Sequence, residues 1–276
     1  MYREGQYSLL YKSFSLEKQI RGENVEYTTE IITIKNVDNI EIDINVFHLV
    51  LSDFSTIRDT IENEIVDIWE TNIGYTLDVV KRDIYNVITS KSDIQKHGLV
   101  AEFFMHLFLR DLGYEQKCVF SNLEENSMKK GFDGFYEFAN EFWIAESKSA
   151  ITEVKHKDKI REAIVDIDYK VRNTEGNNPW KNALHHIMIR QHGRKDDSLS
   201  KKVLSLSSDY IKKVSHDSSE FNLIPTSTLF VNNNQSDSEI KKELEEIISG
   251  RKIKAMIVLC VNNDIYNEFI DYLKGE

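Results

Sequence analysis

Two short segments rich in aromatic and β-branched residues, Phe132 to Phe138 and Glu141 to Lys148, are separated only by a tight connection around Ala139-Asn140. This pattern predicts a β-hairpin. A turn of two or of four residues gives the same register, in which Asp133 faces Glu146 and cross-strand side chains lie roughly 5 Å apart. The hairpin therefore brings two carboxylates together, and few sequence features constrain a fold so closely.

Two opposed carboxylates repel each other unless positive charge lies between them. Side chains alternate across a strand, so Glu146 and Lys148 share a face. The residues thus call for a divalent cation near Asp133 and Glu146, with Lys148 as a second positive group. An acidic residue two positions before a lysine is common in so charged a chain, but this pair follows an apolar run, 142–145. A salt-bridged hairpin at the edge of a sheet is the alternative.

A third carboxylate, Glu102, lies in a helix predicted over 93–112, which starts with capping-box spacing and ends before Gly113. The helix is apolar nearly all round, so we expect it to be buried. A buried carboxylate without a partner costs several kcal/mol or becomes protonated. Glu102 therefore needs a cation, hydrogen-bond donors or a position that faces solvent, and His106 or Arg110 could also satisfy it in a purely structural role.

Composition fits an enzyme without requiring one. The 276 residues are 41% hydrophobic with only 2 prolines, as in globular proteins without long linkers. No uncharged apolar run approaches the ~20 residues that span a bilayer, and the N-terminus lacks the apolar stretch of a signal peptide. We expect a cytoplasmic protein. Cys118 and Cys260 have no metal-binding spacing and read as reduced core thiols.

A net charge of -11 argues against nucleic-acid binding over most of the chain. Residues 148–213 are the exception, with 15 Lys and Arg against 9 Asp and Glu. This stretch could contact phosphates, although such runs are often only the solvated faces of helices. Its basic residues include Lys155, Lys157, Lys159, Arg161, Lys170, Arg172, Arg190, Arg194, Lys195, Lys201 and Lys202.

The chain divides, in this interpretation, into an acidic N-terminal α/β module (1–90) of unknown role and a second domain (91–276). In the module we expect strands over 27–34 and 40–51 and helices over 56–69 and 76–88. After the helix 93–112 we expect a strand near 117–121, an exposed loop 122–130 and the hairpin. Helices over 153–173, 179–192, 198–215, 237–249 and 264–274 and strands over 227–232 and 254–261 complete the chain.

At this point the residues carry a family resemblance. The order helix with Glu102, strand, Gly-Phe-Asp133-Gly, strand with Glu146-Ser147-Lys148, then helix, resembles the α-β-β-β-α-β core of the PD-(D/E)xK nuclease superfamily. Within it, the pattern is similar to that of the HamA effector nuclease subunits of Hachiman antiphage defence systems. The resemblance covers roughly 93–276. Phe132 stands where the superfamily's name has proline, a departure that many members share.

The resemblance implies an α/β (α+β) fold with a restriction-endonuclease-like core, a central mixed sheet flanked by helices. It implies that Asp133, Glu146 and the carbonyl of Ser147 ligate Mg²⁺ or Mn²⁺, and that Glu102 holds a second metal or a metal-bound water. Lys148 would orient the attacking water or neutralise the phosphorane. The implied activity is hydrolysis of DNA phosphodiesters. The implied partners are DNA and a HamB-like helicase subunit, and no association with a membrane is expected.

Two rival functions remain. His185, His186 and His192 could form a metal or regulatory cluster in a catalytically inactive, nuclease-fold binding subunit, although His186 does not share a helical face with the other two. A stand-alone restriction-type endonuclease is the second rival, but no helix-turn-helix or zinc-finger pattern is visible in the sequence.

Overall fold

The computed structural model describes residues 27–35, 41–69, 74–120, 131–190, 198–231 and 235–275. The strands in these ranges are β1 (Tyr27–Lys35), β2 (Glu41–Leu51), β3 (Glu115–Gln116), β4 (Gly134–Phe138), β5 (Glu141–Ala150), β6 (Asn222–Leu229) and β7 (Ala255–Asn263). The α-helices are α1 (Arg58–Trp69), α2 (Leu77–Thr89), α3 (Asp93–Asp111), α4 (His156–Arg172), α5 (Pro179–Arg190), α6 (Ser198–Ile211), α7 (Asp237–Ile248) and α8 (Tyr266–Lys274).

All seven strands belong to one mixed sheet in the order β1-β2-β7-β6-β5-β4-β3. The four strands β2, β7, β6 and β5 run parallel, whereas β1 pairs antiparallel with β2, and β4 pairs antiparallel with both β5 and β3. Helices cover both faces. The α/β fold class expected from the sequence is confirmed, with a central mixed sheet flanked by helices.

The two faces of the sheet bury separate apolar clusters. Helices α1, α2, α3 and α8 pack on one face, and α4, α5, α6 and α7 pack on the other. The central strand β7 contributes to both clusters, with Leu259 directed to the first and Val258 to the second. Parallel strands covered on both faces read as continuous apolar runs, which is why β7 was predictable from the sequence.

The described residues of the expected module at 1–90 share a sheet and an apolar cluster with the second domain. Strand β2 pairs in parallel with β7 over Asn45–Leu51, so it extends the sheet of the second domain. Side chains of α1 and α2, such as Ile65 and Ile84, are buried in the same cluster as Phe104 of α3. Long-range parallel pairing leaves no local sequence signal, and the expected boundary at residue 90 falls inside one shared core.

Most predicted elements agree with the structure to within a few residues, and two of the expected strands differ. The strand expected near 117–121 is found instead at Glu115–Gln116, and the loop expected at 122–130 lies outside the described residues. The strand expected over 227–232 starts five residues earlier, at Asn222. The strand contains Pro225 and the buried polar residues Asn222, Thr226, Ser227 and Thr228, so its sequence does not show the continuous apolar run of a strand covered on both sides.

Both cysteines are buried and free, as expected. Burial raises the pKa of the Cys260 thiol. In the described part of the chain, no helix combines the length and apolar character needed to cross a membrane.

Candidate active site

The hairpin β4–β5 has the register expected from the sequence. Ala139 and Asn140 form its turn with φ angles of 53° and 61°, and positive φ at both central residues is typical of the tight turns that match strand twist. Phe138 pairs with Glu141, and the ladder ends where Gly134 pairs with Ala145. Asp133 precedes that last pair, so the chain brings it to the position beside Glu146.

Asp133 is held against the neighbouring strand by a backbone contact. Its Oδ2 accepts a hydrogen bond from the Ser147 N–H at 2.9 Å. In a β-strand, the N–H and the carbonyl of one residue point to the same neighbouring strand. Strand β4 begins only at Gly134, so no residue of β4 lies opposite Ser147. The Ser147 carbonyl therefore points to the same side of β5 as its N–H, the side on which Asp133 lies.

Glu146 is the most buried carboxylate of this region, with 1% of its surface exposed. It lies on the face of β5 that α4 covers. Lys148 Nζ lies 3.1 Å from Glu146 Oε1, as expected for two residues on one face. Lys170 of α4 contributes a second ammonium, whose Nζ lies 2.7 Å from Oε1 and 2.6 Å from Oε2.

A third carboxylate, Asp166, completes the charged cluster from one turn earlier on α4. It forms an ion pair with Lys148 and lies 3.9 Å from the Lys170 ammonium. The side chains of Asp133, Glu146, Asp166, Lys148 and Lys170 are called the carboxylate–lysine cluster below. With three carboxylates and two ammonium groups, the ionised cluster carries one surplus negative charge.

Burial shifts the ionisation of this cluster. Burial, together with the charge of Asp133, raises the pKa of Glu146 to about 8, against the lowering effect of the two ammonium groups. Burial opposes protonation of Lys148, but the charges of Glu146 and Asp166 outweigh it and raise the Lys148 pKa. The pKa of Asp166 is lowered below its ordinary value. Burial alone would raise it, but the hydrogen bonds with Lys148 and Glu146 outweigh burial. Further positive charge would favour the ionised form of Glu146.

The donor set fits a hard divalent cation. Mg²⁺ and Mn²⁺ prefer oxygen ligands, and Mg²⁺ is commonly held by one or two carboxylates with water and phosphate filling the other positions. Asp133 and Glu146 supply the carboxylates, and the Ser147 carbonyl lies on the same side of β5 as Asp133. The Asp133 Oδ1 atom forms no hydrogen bond with the described residues, so it is available to a ligand.

Glu102 stands apart from this donor set. It is half-buried on α3, whose neighbours Phe103 and Phe104 pack on the sheet face opposite to Glu146. Within the described ranges, His, Cys, Asp and Glu side chains form no group of three or more that could hold a metal. The structure therefore joins Asp133 to Glu146 without adding Glu102 as a third carboxylate ligand.

The two residues considered as structural partners of Glu102 have other contacts. Arg110 pairs with Glu64 at 2.6 Å and with Asp67 at 3.3 Å. His106 Nδ1 lies 2.5 Å from the Tyr136 hydroxyl. Support of a metal-bound water by Glu102 stays a prediction.

The histidines of α5 do not form the rival cluster among the described residues. His185 is exposed, and His192 lies outside the described ranges. His186, however, lines a small cavity of about 40 Å³ together with Asp133, Cys118 and Asn182. It therefore lies near the hairpin, a placement that no local pattern in the sequence predicts.

Lys170 and Asp166 are the residues that sequence reasoning missed as site residues. In the sequence, Lys170 is one of many basic residues of its stretch, and no motif marks Asp166. Their spacing of four on a predicted helix was a usable signal, because it places both on one helical face. The buried residues Ala163 and Ile167 show that this face packs on the sheet.

Several basic residues of this stretch form ion pairs within the described part of the chain. Of its described members, Lys155 and Lys157 pair with Glu243, Lys159 pairs with Glu162, and Arg172 pairs with Asp217. These ion pairs weaken the attraction of the described part of the stretch for phosphates.

No known family model matches this chain, and no curated protein matches it. The chemistry of the site is therefore inferred from its own residues.

Proposed function

We propose that this chain is a Mg²⁺- or Mn²⁺-dependent deoxyribonuclease of the PD-(D/E)xK type that hydrolyses DNA phosphodiester bonds. The observation that carries the proposal is the convergence of Asp133 and Lys148 on the buried Glu146 at the β4–β5 hairpin. The order of α3, β3, β4, β5, α4 and β6 supports it, since this is the α-β-β-β-α-β order that the sequence resembles, with α5 and α6 inserted before the last strand.

Asp133, Glu146 and the Ser147 carbonyl would hold the metal at the end of the hairpin ladder. The role of Glu102, support of a metal-bound water, is carried over from the family resemblance and not from its position. A bound Mg²⁺ supplies a water of lowered pKa and neutralises phosphate charge. Lys148 remains an ammonium because Glu146 and Asp166 raise its pKa, so it can stabilise the negative charge that develops on the scissile phosphate.

The cellular setting is part of the same proposal. The chain acts in the cytoplasm as the effector nuclease of a helicase–nuclease antiviral complex, with a helicase subunit as its partner. The acidic composition and the pairing of Lys155 and Lys157 with Glu243 support a dependence on a partner, because a chain of net negative charge attracts DNA weakly.

A second candidate is a nuclease-fold subunit without catalysis that binds or regulates a partner. The contact of Lys170 with both oxygens of Glu146 favours it, because lysines can neutralise the carboxylates without any metal. A stand-alone restriction-type endonuclease is a third reading, but no structural observation favours it over the others.

Plasmid cleavage with a set of single variants tests the proposal. Glu146→Gln and Lys148→Met should abolish Mg²⁺-dependent cleavage. Glu137→Gln is the matched control, because Glu137 lies on the same hairpin and pairs with Lys117 at 2.7 Å. Its cleavage should equal that of the parent. Cleavage by Glu146→Gln at the parent rate would refute the site, and absence of any cleavage by the parent with DNA and its helicase partner would favour the non-catalytic subunit.

A further inference from the structure

The Lys170 ammonium contacts both carboxylate oxygens of Glu146, the position at which a cation interacts most strongly with this carboxylate. The ammonium lies 2.7 and 2.6 Å from the two carboxylate oxygens, whereas Lys148 approaches only Oε1, at 3.1 Å. A carboxylate with 1% exposure has few directions from which a cation can reach it. A metal that ligates Glu146 therefore meets the Lys170 ammonium as a competitor.

The Lys170 ammonium also has other groups nearby that could hold it if it left Glu146. Asp166, one helical turn earlier, has a carboxylate oxygen 3.9 Å from the Lys170 ammonium. The Phe132 ring centroid lies 6.0 Å from the same atom, a distance at which a cation still gains from an aromatic face. Because a lysine side chain is a flexible chain of four methylene groups, its ammonium can leave Glu146 without any change in the position of the helix.

We propose that Lys170 is the internal cation that a divalent metal must displace from Glu146, and that the displaced ammonium then binds a phosphate of the DNA. This inference rests on the proposed function and adds a regulation of the same site. Lys170 is in this view a positioning residue in the resting chain and a phosphate-binding residue in the loaded one.

The charge of the cluster makes the exchange reasonable. With Glu146 ionised, the surplus negative charge attracts a divalent cation, but two cations cannot occupy the same carboxylate oxygens without repelling each other. A DNA phosphate near Lys170 provides a new partner for the released ammonium. Metal binding and DNA binding then favour each other by the same factor, as linkage requires.

Metal binding itself, measured without cleavage, tests the displacement. Mn²⁺ is titrated into the full chain, and free Mn²⁺ is followed by electron paramagnetic resonance. Lys170→Met should bind Mn²⁺ more tightly than the parent, on the order of tenfold, within the range of ordinary coupling between sites. Lys159→Met is the matched control, because Lys159 lies on the same helix and pairs with Glu162 at 2.9 Å. It should bind Mn²⁺ as the parent does.

A second pair of variants guards against a misfolded protein. Lys170→Arg keeps the competing charge and should bind Mn²⁺ no more tightly than the parent, while Lys170→Gln should repeat the gain of Lys170→Met. A short DNA duplex, added with Ca²⁺ on ice and checked afterwards for intact length, should raise the Ca²⁺ affinity of the parent. In Lys170→Met this coupling should be lost.

The failures of the two proposals differ. If Mn²⁺ binds to the parent, is lost in Glu146→Gln and is unchanged in both Lys170→Met and Lys170→Gln, the displacement is refuted and the metal site stands. If Glu146→Gln binds Mn²⁺ as the parent does, or the parent binds none, the metal site itself is refuted.

Discussion

Asp133 and Ser147 are joined by a hydrogen bond of 2.9 Å from the Ser147 N–H to Asp133 Oδ2, across the end of the β4–β5 ladder. The bond holds one carboxylate at a fixed place beside Glu146. Asp133 thus has two separable properties, an acceptor for a backbone donor and a negative charge near a buried carboxylate.

Substitution of Asp133 separates these properties. Asp133→Asn keeps an oxygen acceptor and removes the repulsion of Glu146, so without metal it should be at least as stable as the parent. Asp133→Ala leaves the Ser147 N–H without its acceptor and should be less stable than Asp133→Asn by about 1 kcal/mol. Urea unfolding in EDTA measures both. Equal stability of the two variants would show that the bond to Ser147 contributes nothing.

Glu102→Gln distinguishes a metal-supporting role from a structural one. The variant keeps the shape and removes the charge. A residue that supports metal should lose Mg²⁺ affinity without losing thermal stability, whereas a structural ion-pair partner should cost on the order of 3 kcal/mol. Melting curves with and without Mg²⁺ decide, since a ligand of the native state stabilises it with the logarithm of its concentration. A variant that melts early but gains the parent's full Mg²⁺ stabilisation would remove Glu102 from the site.

The turn of the hairpin offers a prediction that is independent of function. Ala139 has φ of 53°, a conformation in which a Cβ atom is unfavourable. Ala139→Gly should therefore raise the free energy of unfolding by about 0.5–1 kcal/mol, net of the greater freedom that glycine has in the unfolded chain. Ala150→Gly is the matched control, because Ala150 ends β5 in extended conformation and should be destabilised by the same change. Thermal unfolding of both variants measures the difference, and a loss of stability in Ala139→Gly would contradict the strain.

The hairpin also shows what could be predicted from sequence and what could not. Its register follows from strand alternation and a short turn, so Asp133, Glu146 and Lys148 could be brought together from local information alone. Lys170 lies on a helix that packs over the strand, and its partner could be any acidic residue on that face. The pairing of β2 with β7 joins segments about 200 residues apart. Such contacts depend on the packing of the whole chain, which local patterns do not encode.

His156 should make stability fall in acid. Its Nδ1 contacts Ser227 Oγ at 2.9 Å, its Nε2 contacts Asn262 Oδ1 at 2.8 Å, and it is fully buried. Burial lowers its pKa to about 3, the hydrogen bond to Asn262 opposes this, and nearby His48 adds to it. The unfolded chain therefore binds a proton below about pH 6.5 that the folded chain rejects until about pH 3.

The stability that His156 contributes is thus complete above about pH 6.5 and declines as the pH falls towards 3. The loss should reach about 2 kcal/mol at pH 5, from one and a half pH units at about 1.4 kcal/mol each. Urea unfolding at several pH values measures it, and His156→Asn should remove this part of the slope. His185→Asn, at an exposed position of α5, is the control. The same slope in His156→Asn and the parent would assign the acid sensitivity to other groups.

DNA binding by the isolated chain should be weak and sensitive to salt. The net charge is -11, and lysines of the basic stretch form ion pairs. Lys155 and Lys157 both pair with Glu243. Affinity for DNA comes largely from free Lys and Arg at phosphates, and it falls as salt rises. Glu243→Gln releases Lys155 and Lys157, so this variant should bind a DNA duplex more tightly than the parent and show a steeper dependence on salt. Fluorescence anisotropy over a series of salt concentrations measures both quantities, with Glu137→Gln as the control on the hairpin. A tight complex of the parent chain with DNA that salt does not weaken would contradict the proposed need for a partner.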